Sequence, residues 1–362
     1  MNNTTKKTII DIYSNYDNND VIVLKKAMKN GLSGTSSTVK KYEEELGSYF
    51  NAKYCISTSS GTSAIILALH ALNIKPGDLI LIAPTCPLCT IYPILASGAS
   101  IILCDTQKDN FSINLDDASS IINKKVKAII DVPMWGYPTP ADQLRVFSMN
   151  YNIPLVFDLA HCHGTRYKSK NLSEFCDIAC FSTHERKVLS TGEGGFMLTN
   201  IAKYFESALS YSRFGHLKGY KYGLNFKLSS LQAAIGLNRL MSLDDNLKIR
   251  KANSDYIINN IKNKKVGFFN IVDNGIPNYY SLLVRINGNA NRFIRFMNNY
   301  GIPSDIKRFR CKVLYKYPIL KKFYRECPNA EILLNTITTI PVHPGLRRYD
   351  LNYIIKKINN FK

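Results

Sequence analysis

Acidic residues are scarce in this 362-residue chain: 27 aspartates and glutamates stand against 47 lysines and arginines, a formal net charge of +20. The excess is not built into one basic helix. Lys262-Asn263-Lys264-Lys265, Lys307-Arg308-Phe309-Arg310 and Lys321-Lys322 are short and scattered, and lysine is spread along the whole length. This argues against a nucleic-acid surface, and an anionic small substrate such as a nucleotide or phosphate ester fits the charge more economically. No apolar run approaches the roughly 18 to 20 residues needed to span a bilayer. The polar start, MNNTTKKTIIDIYSNYDNND, has neither a secretory apolar core nor a cleavage site, so a cytoplasmic protein is expected. Internal repeats and low-complexity tracts are also missing. Nine cysteines, an odd number, without an export signal point to free thiols. Cys86-Pro87-Leu88-Cys89 has redox or zinc spacing, but no second pair lies at finger spacing. Cys176 and Cys180 are four apart, with His161-Cys162-His163 nearby; buried thiols are the expectation, and no metal site.

What the chain does have is 45% hydrophobic residues, enough for a large core and two or three structural units. Helical periodicity fills much of Val21 to Phe50, with a break at Gly31 to Thr38. Short apolar strands then alternate with helices: Tyr54–Thr58, Leu79–Ala83, Ser100–Cys104, Lys125–Val132 and Pro154–Asp158 read as strands. Helices are expected over 64–72, 89–97 and 141–151. Such alternation predicts an α/β domain with a mostly parallel sheet, whose ligands sit at the carboxyl ends of strands. Ser60, Asp105, Trp135 and Asp158 lie at or just past such ends. A helix over 201–213 leads to a Gly/Lys/Tyr-rich loop. Ser229 precedes a helix from Ser230 in which Ala233, Ala234 and Gly236 permit close packing. A long helix, Leu243 to Asn260, leads to a strand over 279–286 and helices over 291–300 and 350–359. The expected division is a large domain over 15–245 and a smaller α+β domain over 246–362.

Three stretches carry chemistry. In Phe181 to Gly195, FSTHERKVLSTGEGG, Lys187 sits in a Ser/Thr/Gly-rich segment between a strand end and a turn. Read alone it is a surface lysine; partly desolvated, its amine would be depressed in pKa and nucleophilic. Asp158 ends an apolar strand three residues before His161. It is either a helix N-cap or a half-buried carboxylate in need of a cationic partner. Ser59-Ser60-Gly61-Thr62-Ser63 joins a strand to a helix start, where free amides and the helix dipole favour an anion.

Together these residues resemble the DegT/StrS-type sugar aminotransferases, which are fold-type I pyridoxal-phosphate enzymes. The signatures are Ser60-Gly61-Thr62-Ser63-Ala64, Asp158-x-x-His161, Ser182-x-His184-x-x-Lys187, Thr191-Gly192-Glu193-Gly194-Gly195, and Gly223-x-Asn225-Phe226-Lys227 before Gln232-Ala233-Ala234. Their order and spacing agree over roughly residues 20 to 360. The resemblance implies that Lys187 forms a Schiff base with pyridoxal 5'-phosphate, that Asp158 pairs with the pyridine nitrogen, and that His161 lies beside the ring. It places Gly61, Thr62 and Ser182 at the phosphate, joined by Asn225 from the neighbouring subunit of a homodimer. The activity it implies is transfer of an amino group from L-glutamate, by way of pyridoxamine 5'-phosphate, to a nucleotide-linked keto sugar. That places the chain in amino-sugar or surface-polysaccharide synthesis. Arg213, His216, Lys218, Lys221 and Lys227 are candidates for the substrate's diphosphate, and His343 for the sugar. Two other readings are a pyridoxamine-dependent dehydratase-like enzyme, which Lys187 disfavours, and a cofactor-binding regulator without catalysis. Three departures from the family stand out. Leu88 takes the place of a ring-stacking aromatic, giving up about 0.5–1.5 kcal/mol of stacking. Lys227 replaces an arginine, and His184-Glu185-Arg186 is unusually charged.

Overall fold

The computed structural model describes residues 7–13 and 17–362. Its central sheet contains β1 (Tyr54–Thr58), β2 (Leu79–Ile82), β3 (Ser100–Leu103), β4 (Val126–Asp131) and β5 (Leu155–Asp158). A small hairpin, β6 (Arg166–Tyr167) and β7 (Lys170–Asn171), precedes the last two members, β8 (Ile178–Ser182) and β9 (Gly195–Thr199). The order across the sheet is β1-β9-β8-β5-β4-β2-β3. The run from β8 to β3 is parallel, while β9 lies antiparallel to both β8 and β1. The reason is local: β8 returns to β9 through a loop with no crossover helix, and a parallel pairing needs such a crossover. Lys187 lies in that loop.

Along each strand, side chains alternate between two cores, as the period of two requires. Val156 and Cys180 face one core and Phe157 and Phe181 the other, all at most 1% exposed. Phe181 stacks on Phe196 across β8 and β9 with centroids 4.5 Å apart. Covered on both faces, the strands have the near-continuous apolar composition of a buried parallel sheet.

Helix starts follow the capping chemistry of the sequence. Ser36 caps Ser37–Phe50, Ser60 caps Gly61–Ala71, and Ser229 forms a capping box with Gln232 at Ser230–Met241. The helix expected from Cys89 begins at Leu88 and runs through Pro93 to Ala96. Later in the chain come β10 (Val266–Phe268), β11 (Gly275–Ile276), β12 (Leu282–Ile286) and β13 (Ile337–Ile340). The antiparallel trio β10-β12-β13 makes a second sheet, whereas β11 pairs with β6 in a third. The strand expected from Tyr279 starts only at Leu282: Tyr279 has φ +49°, and Asn278 accepts the Tyr280 amide through its side chain. The Leu243–Asn260 helix forms as expected. Among the described residues no helix is long and apolar enough to cross a membrane, and no group of three or more His, Cys, Asp or Glu could hold a metal ion. All nine cysteines are free.

Gly236 lets the Ser230–Met241 helix approach Tyr42, which is fully buried; a Cβ there would stand 2.5 Å from the ring. Overpacking costs about 1–3 kcal/mol, more than the roughly 1 kcal/mol that alanine gains over glycine in a helix. Gly236→Ala is therefore expected to lower the urea midpoint at unchanged m-value.

Candidate active site

A cleft of about 490 Å³ opens where the carboxyl ends of β5 and β8 meet the start of the Gly61–Ala71 helix. At that start the Ser60 hydroxyl is occupied by the Ser63 amide at 3.0 Å. Among the described residues the amides of Gly61 and Thr62 meet no acceptor and point outward, as the first amides of a helix do. Ser182, at the end of β8, closes the same corner: a Cβ on Gly61 would lie 2.7 Å from the Ser182 Cβ. The corner is thus too tight for a side chain yet open to an anion.

Asp158 ends β5 only 4% exposed. Its Oδ2 accepts the Thr90 hydroxyl at 2.6 Å and its Oδ1 the Ala160 amide at 3.1 Å. Burial raises its pKa, while Thr90, Ala160 and the Lys187 charge pull it down. The buried-carboxylate reading of Asp158 holds and the helix N-cap reading does not: no helix follows β5, and Oδ1 closes a turn at Ala160 instead. His161 accepts the Trp135 amide on Nδ1 at 3.2 Å, and its ring stacks on Tyr280 with centroids 4.3 Å apart. Burial, assisted by Lys187 and His163, holds its pKa well below the usual histidine range, so the ring is neutral.

The TGEGG run fastens the loop that presents Lys187. Thr183 donates its amide to Gly194 O at 2.8 Å, Thr191 to Thr183 O at 2.7 Å, and Glu185 to Gly192 O at 2.7 Å. The Thr183 and Thr191 hydroxyls lie 2.7 Å apart. Gly194, at φ +146°, leaves no space for a side chain, because a Cβ would meet the Thr183 Oγ1 at 2.5 Å. Val188 and Leu189 anchor the far side of the loop in the core. Lys187 then reaches into the cleft with Nζ 5.5 Å from the centre of the Tyr280 ring. Burial lowers its pKa, opposed by the neighbouring acidic groups of Cys89, Asp158 and Asp305. The amine is therefore closer to its neutral, nucleophilic form than a surface lysine.

Of the sequence-predicted residues, Gly61, Thr62, Leu88, Asp158, His161, Ser182 and Lys187 converge on this cleft. Ser60 and Trp135 line it too, whereas the residues expected at the substrate and at the subunit boundary do not. Arg213, His216, Asn225 and Lys227 lie on the loop that runs from residue 213 to 227, where Arg213 bridges Asn225 and Lys227 Nζ donates to Asn225 Oδ1 at 2.6 Å. His343 borders a neighbouring cavity and contacts Ile10 O through Nε2 at 2.7 Å. Sequence reasoning missed Thr90, Tyr280 and Asp305, which stand beside Asp158 or Lys187. Thr90 is the third residue of a helix whose start was misplaced by one. Tyr280 and Asp305 come from distant segments with no motif around them.

The family model of the DegT/DnrJ/EryC1/StrS aminotransferases matches residues 15–359. The GDP-perosamine synthase of Escherichia coli O157:H7 is 27% identical over 337 residues, 91% of this chain and 92% of that one. The dTDP-3-amino-3,6-dideoxy-alpha-D-galactopyranose transaminase of Aneurinibacillus thermoaerophilus is 25% identical, covering 93% of this chain and 94% of that one. Among solved structures, the PLP-form of the putative sugar aminotransferase Spr1654 from Streptococcus pneumoniae superposes with a TM-score of 0.88 at 21% identity, over 98% of both chains. The α/β architecture, the cleft motifs and a match across nearly the full length agree: the chain belongs to the DegT/DnrJ/EryC1/StrS aminotransferase family.

Proposed function

We propose that the protein is a pyridoxal-phosphate-dependent aminotransferase that moves an amino group from L-glutamate to a keto sugar carried on a nucleotide. One observation carries this reading: a depressed amine (Lys187), a buried carboxylate (Asp158) and an open helix start (Gly61-Thr62) share one cleft although they come from three elements. The residues present fit the cofactor. The acceptor-free amides of Gly61 and Thr62, with Ser182 beside them, suit a phosphate. Asp158 suits a protonated ring nitrogen, because its two hydrogen bonds come from neutral donors and leave its charge unpaired. Leu88 would cover one face of the ring, with His161 beside it. When bound, the group supplies a conjugated, electron-accepting ring that takes up the electron pair of the donor's Cα–H bond.

The chain's own residues do the rest. Lys187, with its pKa lowered by burial, takes a proton at Nζ and returns it, while the Tyr280 face steadies the ammonium in between. His161 stays neutral and holds its place through Trp135 and Tyr280. Asn225, Arg213, His216 and Lys227 would serve the cleft of a second copy of the chain. Support comes from the loop they occupy, where Leu217, Tyr220 and Tyr222 are 82%, 91% and 75% exposed, an apolar surface suited to a partner.

Lys187→Ala is expected to abolish the imine absorbance of the purified protein and to slow the glutamate half-reaction by roughly a thousand-fold or more, followed by stopped-flow absorbance. Normal turnover by this variant contradicts the assignment. In cofactor-free protein, labelling of Lys187 by an amine reagent, followed by mass spectrometry against pH, should show a midpoint below that of free lysine. Asp158→Asn removes a carboxylate that favours the ammonium, so it should move that midpoint further down; an upward shift contradicts the electrostatics. Leu217→Asp combined with Tyr220→Asp should convert a dimer to monomer in sedimentation velocity.

A further inference from the structure

A second cavity, of about 40 Å³, adjoins the cleft and shares Arg186, Tyr280 and Asp305 with it. Arg250, from the Leu243–Asn260 helix, and His343 form its opposite wall, with the hydroxyls of Ser281 and Thr339 also facing in. Residues 7–13 pack along its rim: the Ile9 amide donates to Gly301 O at 2.9 Å, Ile10 O meets His343, and the Tyr13 ring stacks on His343 at 5.7 Å. The volume holds about three waters or one carboxylate group and excludes a sugar ring.

Arg250 makes this cavity a site. It is 6% exposed, and its Nη1 donates only to the carbonyls of Tyr279 at 3.3 Å and Tyr280 at 3.1 Å. Its Nε has no acceptor, and among the described residues no carboxylate forms an ion pair with it. A buried guanidinium held by neutral carbonyls alone retains an uncompensated charge. Its neighbours do not cancel that charge. Asp11 is already shared between Arg186, at 3.2 Å, and Arg308. Asp305 accepts Ser281 Oγ at 3.3 Å, and burial pushes its carboxyl toward the neutral form. Arg186 and Arg250 both line the cavity, and Asp11, the one acid there with ion pairs, is divided between Arg186 and Arg308, so an incoming carboxylate finds guanidinium charge to meet it.

We infer that this cavity is a carboxylate subsite in which Arg250 and Arg186 receive the distal carboxylate of a dicarboxylic amino donor, whose amino end lies at Lys187. The inference rests on the aminotransferase reading above. Tyr280 sets the span, since its ring faces Lys187 Nζ and its carbonyl oxygen accepts from Arg250. Arg186 and Tyr280 line both spaces, so the subsite adjoins the cleft that holds Lys187. Asp11 sits at the entrance as a resident competitor, drawing Arg186 away from the incoming group. A donor with a single carboxylate, such as alanine, leaves Arg250 unpaired and is discriminated against for that reason.

The test is calorimetric titration of the full-length protein with glutarate and with pentanoate, neither of which can react. Glutarate is expected to bind at least ten-fold more tightly than pentanoate. Arg186→Gln and Arg250→Lys should erase that preference. Arg250 also anchors two carbonyls, so Arg186→Gln is the variant that remains informative if the other misfolds. Asp11→Asn should tighten glutarate three- to ten-fold, an effect that loss of a merely structural ion pair does not produce. Equal affinities in the wild type, no binding of either acid, or an unchanged preference in Arg186→Gln overturns the subsite. A glutarate preference without any reaction of glutamate supports the subsite and counts against the aminotransferase reading. Equal half-reaction rates with glutamate and alanine, without a glutarate preference, sink the subsite and leave that reading standing.

Discussion

The structure depends on a reversal of chain direction between two paired strands. β8 and β9 are joined by a loop whose ends are tied amide to carbonyl across Thr183, Thr191 and Gly194. Without those ties a basic side chain in a Ser/Gly-rich segment would swing into water, where it gains hydration and loses its unusual basicity. With them, the backbone at Lys187 is fixed and Phe181 and Phe196 fill the core beneath it. The small residues of this segment are spacers: they let backbone meet backbone closely enough for the knot to form.

The electrostatics of the cleft come from a contest between desolvation and charge pairing. Burial pushes Asp158 and Asp305 toward their neutral acids and Lys187 toward its neutral amine, while the lysine charge opposes that effect on the two carboxyls and they oppose it on the amine. A site of this kind gains little stability from its ion pairs, because what they return is first taken by removal from water. What it gains is responsiveness, since a small change in one charge alters the proton affinity of its neighbours.

Most of this was legible in the sequence where short-range rules suffice. Strand and helix alternation revealed the parallel sheet, and Ser229 marked a helix start that exists, whereas the helix expected from residue 64 begins three residues earlier, at Gly61. Position alone marked the helix start at Gly61 and the strand end at Asp158, where ligands gather in such sheets, while His161 and Lys187 were legible through the family resemblance. What escaped notice depends on long-range contact. Asp305 and Tyr280 belong to segments without a pattern of their own, and they matter only because folding brings them against Lys187. The strand β13 and the short helix Leu115–Ile121 were not anticipated either; the latter is held by Asn114 at its start and by Arg325, two hundred residues away, on Asp117. In the unusually charged run His184-Glu185-Arg186, the partner of Arg186 is Asp11, 175 positions upstream, and His184 lies 3.7 Å from Glu193.

The pairing of β11 with β6 bears on how the molecule can move. Asn278 adds to it, donating to the carbonyls of both His161 and His163 at 2.8 and 2.9 Å. Residues 275–278 are therefore stitched to the same framework that carries Asp158, and a few residues on Leu283 of β12 donates its amide to the Tyr137 hydroxyl at 3.0 Å. The backbone is thus tied down on both sides of Tyr280, so the ring that faces Lys187 has little freedom to travel along the chain direction.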